Sequence, residues 1–123
     1  MLYPLIPVRI HGWLDDGMVL LYLGGAWVLH LEGDGLALAL AFAGLHFLLT
    51  RLTAYPQGAL KWIPLPVHAF LELAEGIAIG GFGYVIAGFD AIRAGAFLEV
   101  MGASHILIFA FCDQRWQTAA PTR

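Results

Sequence analysis

A chain of 123 residues is one domain at most, and a water-soluble domain of that size carries charge on about a quarter of its residues. Here 12% are charged, 60% are hydrophobic and mean hydropathy is +0.78. So small a globule cannot hide that much apolar surface, and lipid is the solvent that fits. The formal charge of -3 is scattered rather than gathered into a basic patch, which argues against nucleic acid as a partner. Cys112 is the single cysteine, so the sequence does not report a redox compartment.

The first ten residues contain Pro4 and Pro7 and lack a basic stretch followed by a compact apolar core. They do not read as a cleavable signal peptide, and the first apolar run reads as a retained span. Four such runs follow, at about residues 13–31, 36–53, 67–87 and 94–112. Each is near the ~20 residues a helix needs to cross ~30 Å of hydrocarbon. Inside lipid every backbone polar group must be paired locally, so helices are the expected state. Glu32-Gly33-Asp34-Gly35 and Gly88-Phe89-Asp90 are polar turns short enough to predict antiparallel hairpins. Tyr55-Pro56-Gln57-Gly58 and Pro64-Leu65-Pro66 bracket a longer connector, where proline ends one helix and prepares the next. The expected fold is a single all-α membrane domain of four transmembrane helices.

Five of the six basic residues (Arg9, Arg51, Lys61, Arg115 and Arg123) fall at the termini or in the middle connector, and only Arg93 lies opposite. The positive-inside rule then predicts that both termini and the connector are cytoplasmic. Trp13, Trp62 and Trp116 are expected at the inner interface, and Trp27 and Tyr84 toward the outer one.

The two halves align. Pro7-Val8-Arg9-Ile10-His11-Gly12-Trp13-Leu14-Asp15 matches Pro64-Leu65-Pro66-Val67-His68-Ala69-Phe70-Leu71-Glu72, and both contain His-x-x-x-acid. Trp27 and Tyr84 follow each histidine at the same distance, and Gly44-Leu45-His46 matches Gly102-Ala103-Ser104-His105. The predicted units are repeat 1 at about 7–54, a connector at 55–63, repeat 2 at about 64–113 and a short tail at 114–123. Each unit holds two spans, so the tandem hairpins should be related by a pseudo-twofold along the membrane normal.

The segment Ile63-Pro64-Leu65-Pro66-Val67-His68, the run from His68 to Gly76 and the small-small-aromatic position before each hairpin turn carry a resemblance. In these the chain resembles the SPW-repeat family of small bacterial integral membrane proteins, over about residues 7–113. Of the namesake Ser-Pro-Trp motif, Gly25-Ala26-Trp27 keeps the tryptophan and Gly81-Phe82-Gly83-Tyr84 keeps an aromatic. The resemblance implies architecture and a bacterial inner membrane, not a chemistry.

Polar residues inside spans are functional hypotheses by default. His11 and Asp15 share one face of the first helix, and His68 and Glu72 repeat this on the third. His46 and His105 sit in the second and fourth helices, and all four histidines are expected in the cytoplasmic half. Three readings compete: internally hydrogen-bonded His-x-x-x-acid pairs with a structural role, a haem or chlorophyll-type pigment ligated by His46 and His105, and a transition-metal site built from His11, Asp15, His68 and Glu72. Asp16 and Glu75 are expected to be interfacial, and Glu99 to lie near the outer interface. Gly24, Gly25, Gly44, Gly76, Gly80, Gly81 and Gly83 are expected to let helices approach closely.

The sequence contains no nucleophile–base pair, phosphate loop or Cys-x-x-Cys, so it does not read as an enzyme. The least demanding function is an accessory subunit packing against other subunits of a larger bacterial membrane complex, respiratory or photosynthetic. Pigment-based electron transfer, metal binding and small-solute transport are the alternatives.

Overall fold

The computed structural model describes residues 5–56, 58–87 and 91–112. Within them the chain is all-helical: α1 is Val8–Val28, α2 Gly33–Leu52, α3 Leu65–Ala87 and α4 Ile92–Phe111. Three of these, α2, α3 and α4, are long and apolar enough to cross a membrane. α1 has comparable length at 21 residues, but its first half carries Arg9, His11, Asp15 and Asp16. The expected turn at 88–90, Trp116, Arg115, Arg123 and the tail lie outside the described residues.

α1 starts five residues earlier than the hydropathy run predicts, because Pro7 holds the extended conformation that caps it. This earlier start takes in His11, as its shared helix face with Asp15 requires. Between α1 and α2 the backbone turns through two left-handed residues, His30 (φ 50) and Gly33 (φ 53). At Gly33 the absence of a Cβ makes that conformation free of strain. Arg93 Nη1 donates to the Leu29 carbonyl at 3.1 Å, tying the start of α4 to the end of α1.

The most extensive helix contact is α3 with α4, followed by α1 with α2. Glycines explain the first. A Cβ on Gly102 would stand 2.6 Å from the Gly76 carbonyl oxygen, and one on Gly95 would stand 2.6 Å from that of Gly83. The pairs 76/102 and 83/95 run in opposite directions along the two helices, so backbone meets backbone along an antiparallel seam. Gly25 also packs closely, against the Phe97 ring. Gly24, Gly44 and Gly81 depart from expectation: a Cβ on any of them would meet nothing within 4 Å. Gly80 lends its backbone to the seam, as the surface that Gly102 faces.

The end of the bundle that holds the connector is closed by backbone pairing. Leu5 and Ile6 donate N–H to the Phe111 carbonyl at 2.9 and 3.1 Å, and Ile63 donates to the Leu52 carbonyl at 2.9 Å. Val8, Tyr55 and Leu65 form a small buried cluster at this end.

The distribution of polarity is the reverse of a soluble protein's. Leu20, Trp27, Leu48, Phe70, Ile77 and Val100 are exposed, whereas His11, Asp15, His46, His68, Glu72 and His105 are each 0% exposed. Such a surface is compatible with lipid contact, and the interior collects the polar groups. Trp13, Trp62, Trp27 and Tyr84 are all exposed, as an interfacial belt requires.

Candidate metal centre

The four buried histidines and three carboxylates converge from all four helices into one connected cluster. The pairing is not the internal one expected of each His-x-x-x-acid motif; it crosses between halves. His11 Nε2 lies 3.1 Å from Glu72 Oε2, while its own-helix neighbour Asp15 stands off at 3.5 Å. Reciprocally, His68 Nε2 lies 3.1 Å from Asp15 Oδ2. The reason is geometric. Side chains four apart on a helix lie one above the other, so both project toward the facing helix instead of toward each other.

A second group adjoins the first. His46 Nδ1 lies 2.9 Å from Glu75 Oε2, and His105 Nε2 lies 3.3 Å from that same His46 nitrogen. Glu75 is only 6% exposed, a correction to its expected interfacial placement. Its position three residues after Glu72 puts it on the same helix face, which is the signal that could have found it. His46 Nε2, the other ring nitrogen, is 3.7 Å from Asp15 Oδ1 and joins the two groups.

Hydrogen-bond bookkeeping fixes how two of the histidines are presented. Thr53 commits its hydroxyl proton to the Leu49 carbonyl at 2.6 Å, so at 2.8 Å it accepts the Nδ1–H of His68. His105 Nδ1–H donates to the Met101 carbonyl at 2.8 Å. In both rings Nε2 is therefore the atom turned into the cluster. Securing the distal N–H on a carbonyl or hydroxyl is how proteins orient a ligating imidazole.

Tyr55 completes the first group from the connector. Its hydroxyl donates to Asp15 Oδ2 at 2.8 Å and lies 2.7 Å from His68 Nε2. Burial, and then the Asp15 and Glu72 carboxylates, hold this phenol well above its ordinary range, so it stays protonated. No periodicity announces Tyr55 or Thr53; they reach the site because the connector folds back. Cys112 is also buried, with its thiol against His11.

The network is incomplete. Asp15 Oδ1, His46 Nε2, Glu72 Oε1 and Glu75 Oε1 are buried and have no hydrogen-bond partner among the described residues. Each unpaired buried group costs about 1–3 kcal/mol, a cost that a shared cation removes. The ligand atoms of His11, Asp15 and His68 lie within 4.8 Å of one another, as do those of His46, Glu75 and His105. Metal–ligand bonds of about 2.0–2.1 Å at tetrahedral angles separate neighbouring ligand atoms by about 3.3 Å, and the spacings of 3.1 and 3.5 Å around His11 and Asp15 fall there.

The other predicted residues fall elsewhere. His46 and His105 come together as expected, but their rings touch edge to face with centroids 4.6 Å apart. A tetrapyrrole does not fit between them as they stand. Asp16 is partly exposed and pairs with Arg51 of α2, and Glu99 and His30 are exposed. An apolar groove lined by Phe42, Leu49, Leu71 and Ala78 has Glu75 in its wall.

Comparison with protein-family models, with curated proteins and with solved structures finds no match. The site itself carries the functional reading.

Proposed function

We propose that this chain is a membrane-embedded metal-binding protein that holds a first-row transition ion on His11, Asp15, His68 and Glu72. The observation that carries the reading is a buried set of imidazoles and carboxylates in which Asp15 Oδ1, His46 Nε2, Glu72 Oε1 and Glu75 Oε1 have no hydrogen-bond partner among the described residues. Carboxylates enclosed in so apolar an interior are costly unless cations balance them. Mixed imidazole and carboxylate ligands suit zinc, iron or copper. In the proposed setting α1 also crosses the bilayer, its polar first half shielded by α2, α3 and the connector. The crossed spacings of 3.1 Å, His11 to Glu72 and His68 to Asp15, support two hairpins about a pseudo-twofold. The skew of basic residues supports cytoplasmic termini, and the repeat motifs support membership of the SPW-repeat family in a bacterial inner membrane.

Elemental analysis of protein purified in mild detergent without chelator tests the reading. At least one equivalent of zinc, iron or copper is expected, and it should be lost on His11→Ala or His68→Ala. Protein that stays metal-free after dialysis against zinc(II), iron(II) and copper(II) would overturn it. A Soret or Qy band in the same sample would favour a tetrapyrrole instead.

A second reading, lateral packing against a larger membrane complex, is favoured by Gly24, Gly44 and Gly81, which are exposed and whose small surfaces are not covered by this chain's own side chains. It is compatible with the first. Co-purification of a partner in mild detergent supports it, and recovery only as a free monomer counts against it.

A further inference from the structure

Resting on the metal-binding reading, we propose that a second ion binds His46, Glu75 and His105, and that the His46 imidazole bridges the two ions. Three observations lead there. The first is spacing. His46 Nδ1, Glu75 Oε2 and His105 Nε2 are separated by 2.9, 3.3 and 4.0 Å, values that straddle the ~3.3 Å edge of a tetrahedral site. Small side-chain rotations equalise them around one ion.

The second is presentation. His105 delivers Nε2 because Met101 holds its Nδ1–H, and Glu75 has a buried oxygen, Oε1, with no partner. Thr50, one turn beyond His46, donates its hydroxyl to the His46 carbonyl at 2.9 Å and steadies the backbone that carries this ring. His46 uses Nδ1 in this group, yet its Nε2 is also buried, makes no hydrogen bond among the described residues and lies 3.7 Å from Asp15 Oδ1 of the first group, which makes none either. Both nitrogens of one ring thus face a ligand set, which an ordinary structural histidine does not require.

The third is charge. Two divalent cations bring four positive charges into a low-dielectric interior. Asp15, Glu72 and Glu75 supply three negative charges, and an imidazole deprotonated between two metals supplies the fourth. The binuclear centre is then neutral, the condition under which charge is tolerated in hydrocarbon. The proton released by His46 on bridging goes to solvent as the ions enter.

The test uses copper(II), which reports both count and contact. Chelator-treated full-length protein in detergent is loaded with excess copper(II), desalted, and examined by elemental analysis and electron paramagnetic resonance. The expected result is two coppers per chain with a resonance signal far weaker than two isolated ions would give, because a bridging imidazolate couples their spins. His105→Ala should halve the copper and restore the signal of an isolated ion. Glu75→Gln, nearly isosteric, should do the same and serves if His105→Ala does not fold, with circular dichroism as the check. One copper that survives Glu75→Gln but not His11→Ala overturns the second site while leaving the first intact. Two coppers with the full signal of isolated ions overturn the bridge. No copper in the wild-type chain overturns both sites together.

Discussion

His11 of α1 and Glu72 of α3 are 61 residues apart in sequence and 3.1 Å apart in space, with both side chains wholly buried. The contact pairs the histidine of one repeat with the acid of the other, and His68 with Asp15 returns it. Within the first motif the His11 to Asp15 contact is longer, at 3.5 Å. The histidine of each His-x-x-x-acid pair thus takes its nearest buried carboxylate from the other pair.

A double-mutant cycle on His11→Ala and Glu72→Ala in metal-free detergent should yield a coupling of about 0.5–3 kcal/mol, the range for contacting buried groups. Each single change leaves a buried partner unpaired and should cost about 1–3 kcal/mol by reversible unfolding. The His68 and Glu72 cycle, within one motif, should show the smaller coupling. Equal coupling in both cycles would contradict the crossed arrangement.

The four helices were legible because apolar runs separated by Gly, Pro and Asp allow little else in lipid. The sequence marks His11, Asp15, His68 and Glu72 because polar residues in an apolar run stand out, and the repeat shows them twice. Their crossed pairing was not legible, since periodicity gives the face of a helix but not which helix stands opposite. Tyr55 and Thr53 were invisible for another reason: they lie in or beside the connector, where proline and glycine suggest only a turn. Among the glycines, residue type alone could not separate Gly76 and Gly83, which lie in the seam, from Gly24 and Gly44, which face outward.

Thr53→Val keeps the shape of the residue and removes the oxygen that accepts His68 Nδ1–H. The ring is then free to turn, and metal affinity should fall about 10–100-fold, as for other second-layer partners of ligating histidines. Competition with a chromophoric chelator measures it. Helical content should not change, which separates lost orientation from lost fold.

The seam between α3 and α4 predicts a sharp contrast between two glycines. Gly102→Ala places a Cβ 2.6 Å from the Gly76 carbonyl oxygen, and the helices must separate. Gly81→Ala adds a Cβ with nothing within 4 Å. The first should destabilise by about 1–3 kcal/mol, as overpacking does. The second should be neutral or gain up to about 1 kcal/mol from helix propensity. Thermal unfolding in a single detergent compares them directly, and equal melting temperatures would remove the seam from the account.

The orientation can be tested at sites that leave the cluster untouched. Cys112 is 0% exposed, so it should react with maleimides only on unfolding and leave a silent background. Lys61 lies in the connector and Glu32 at the opposite end of the bundle, and both are exposed. With both termini and the connector cytoplasmic, Glu32→Cys should label with a membrane-impermeant maleimide in intact spheroplasts. Lys61→Cys should label only after the membrane is opened. The reverse pattern would invert the protein in the bilayer and move the histidine–carboxylate cluster, which the connector covers through Tyr55, to the outer side. Labelling of both sites in intact spheroplasts would mean that α2 does not cross, because a single spanning helix separates residue 32 from residue 61.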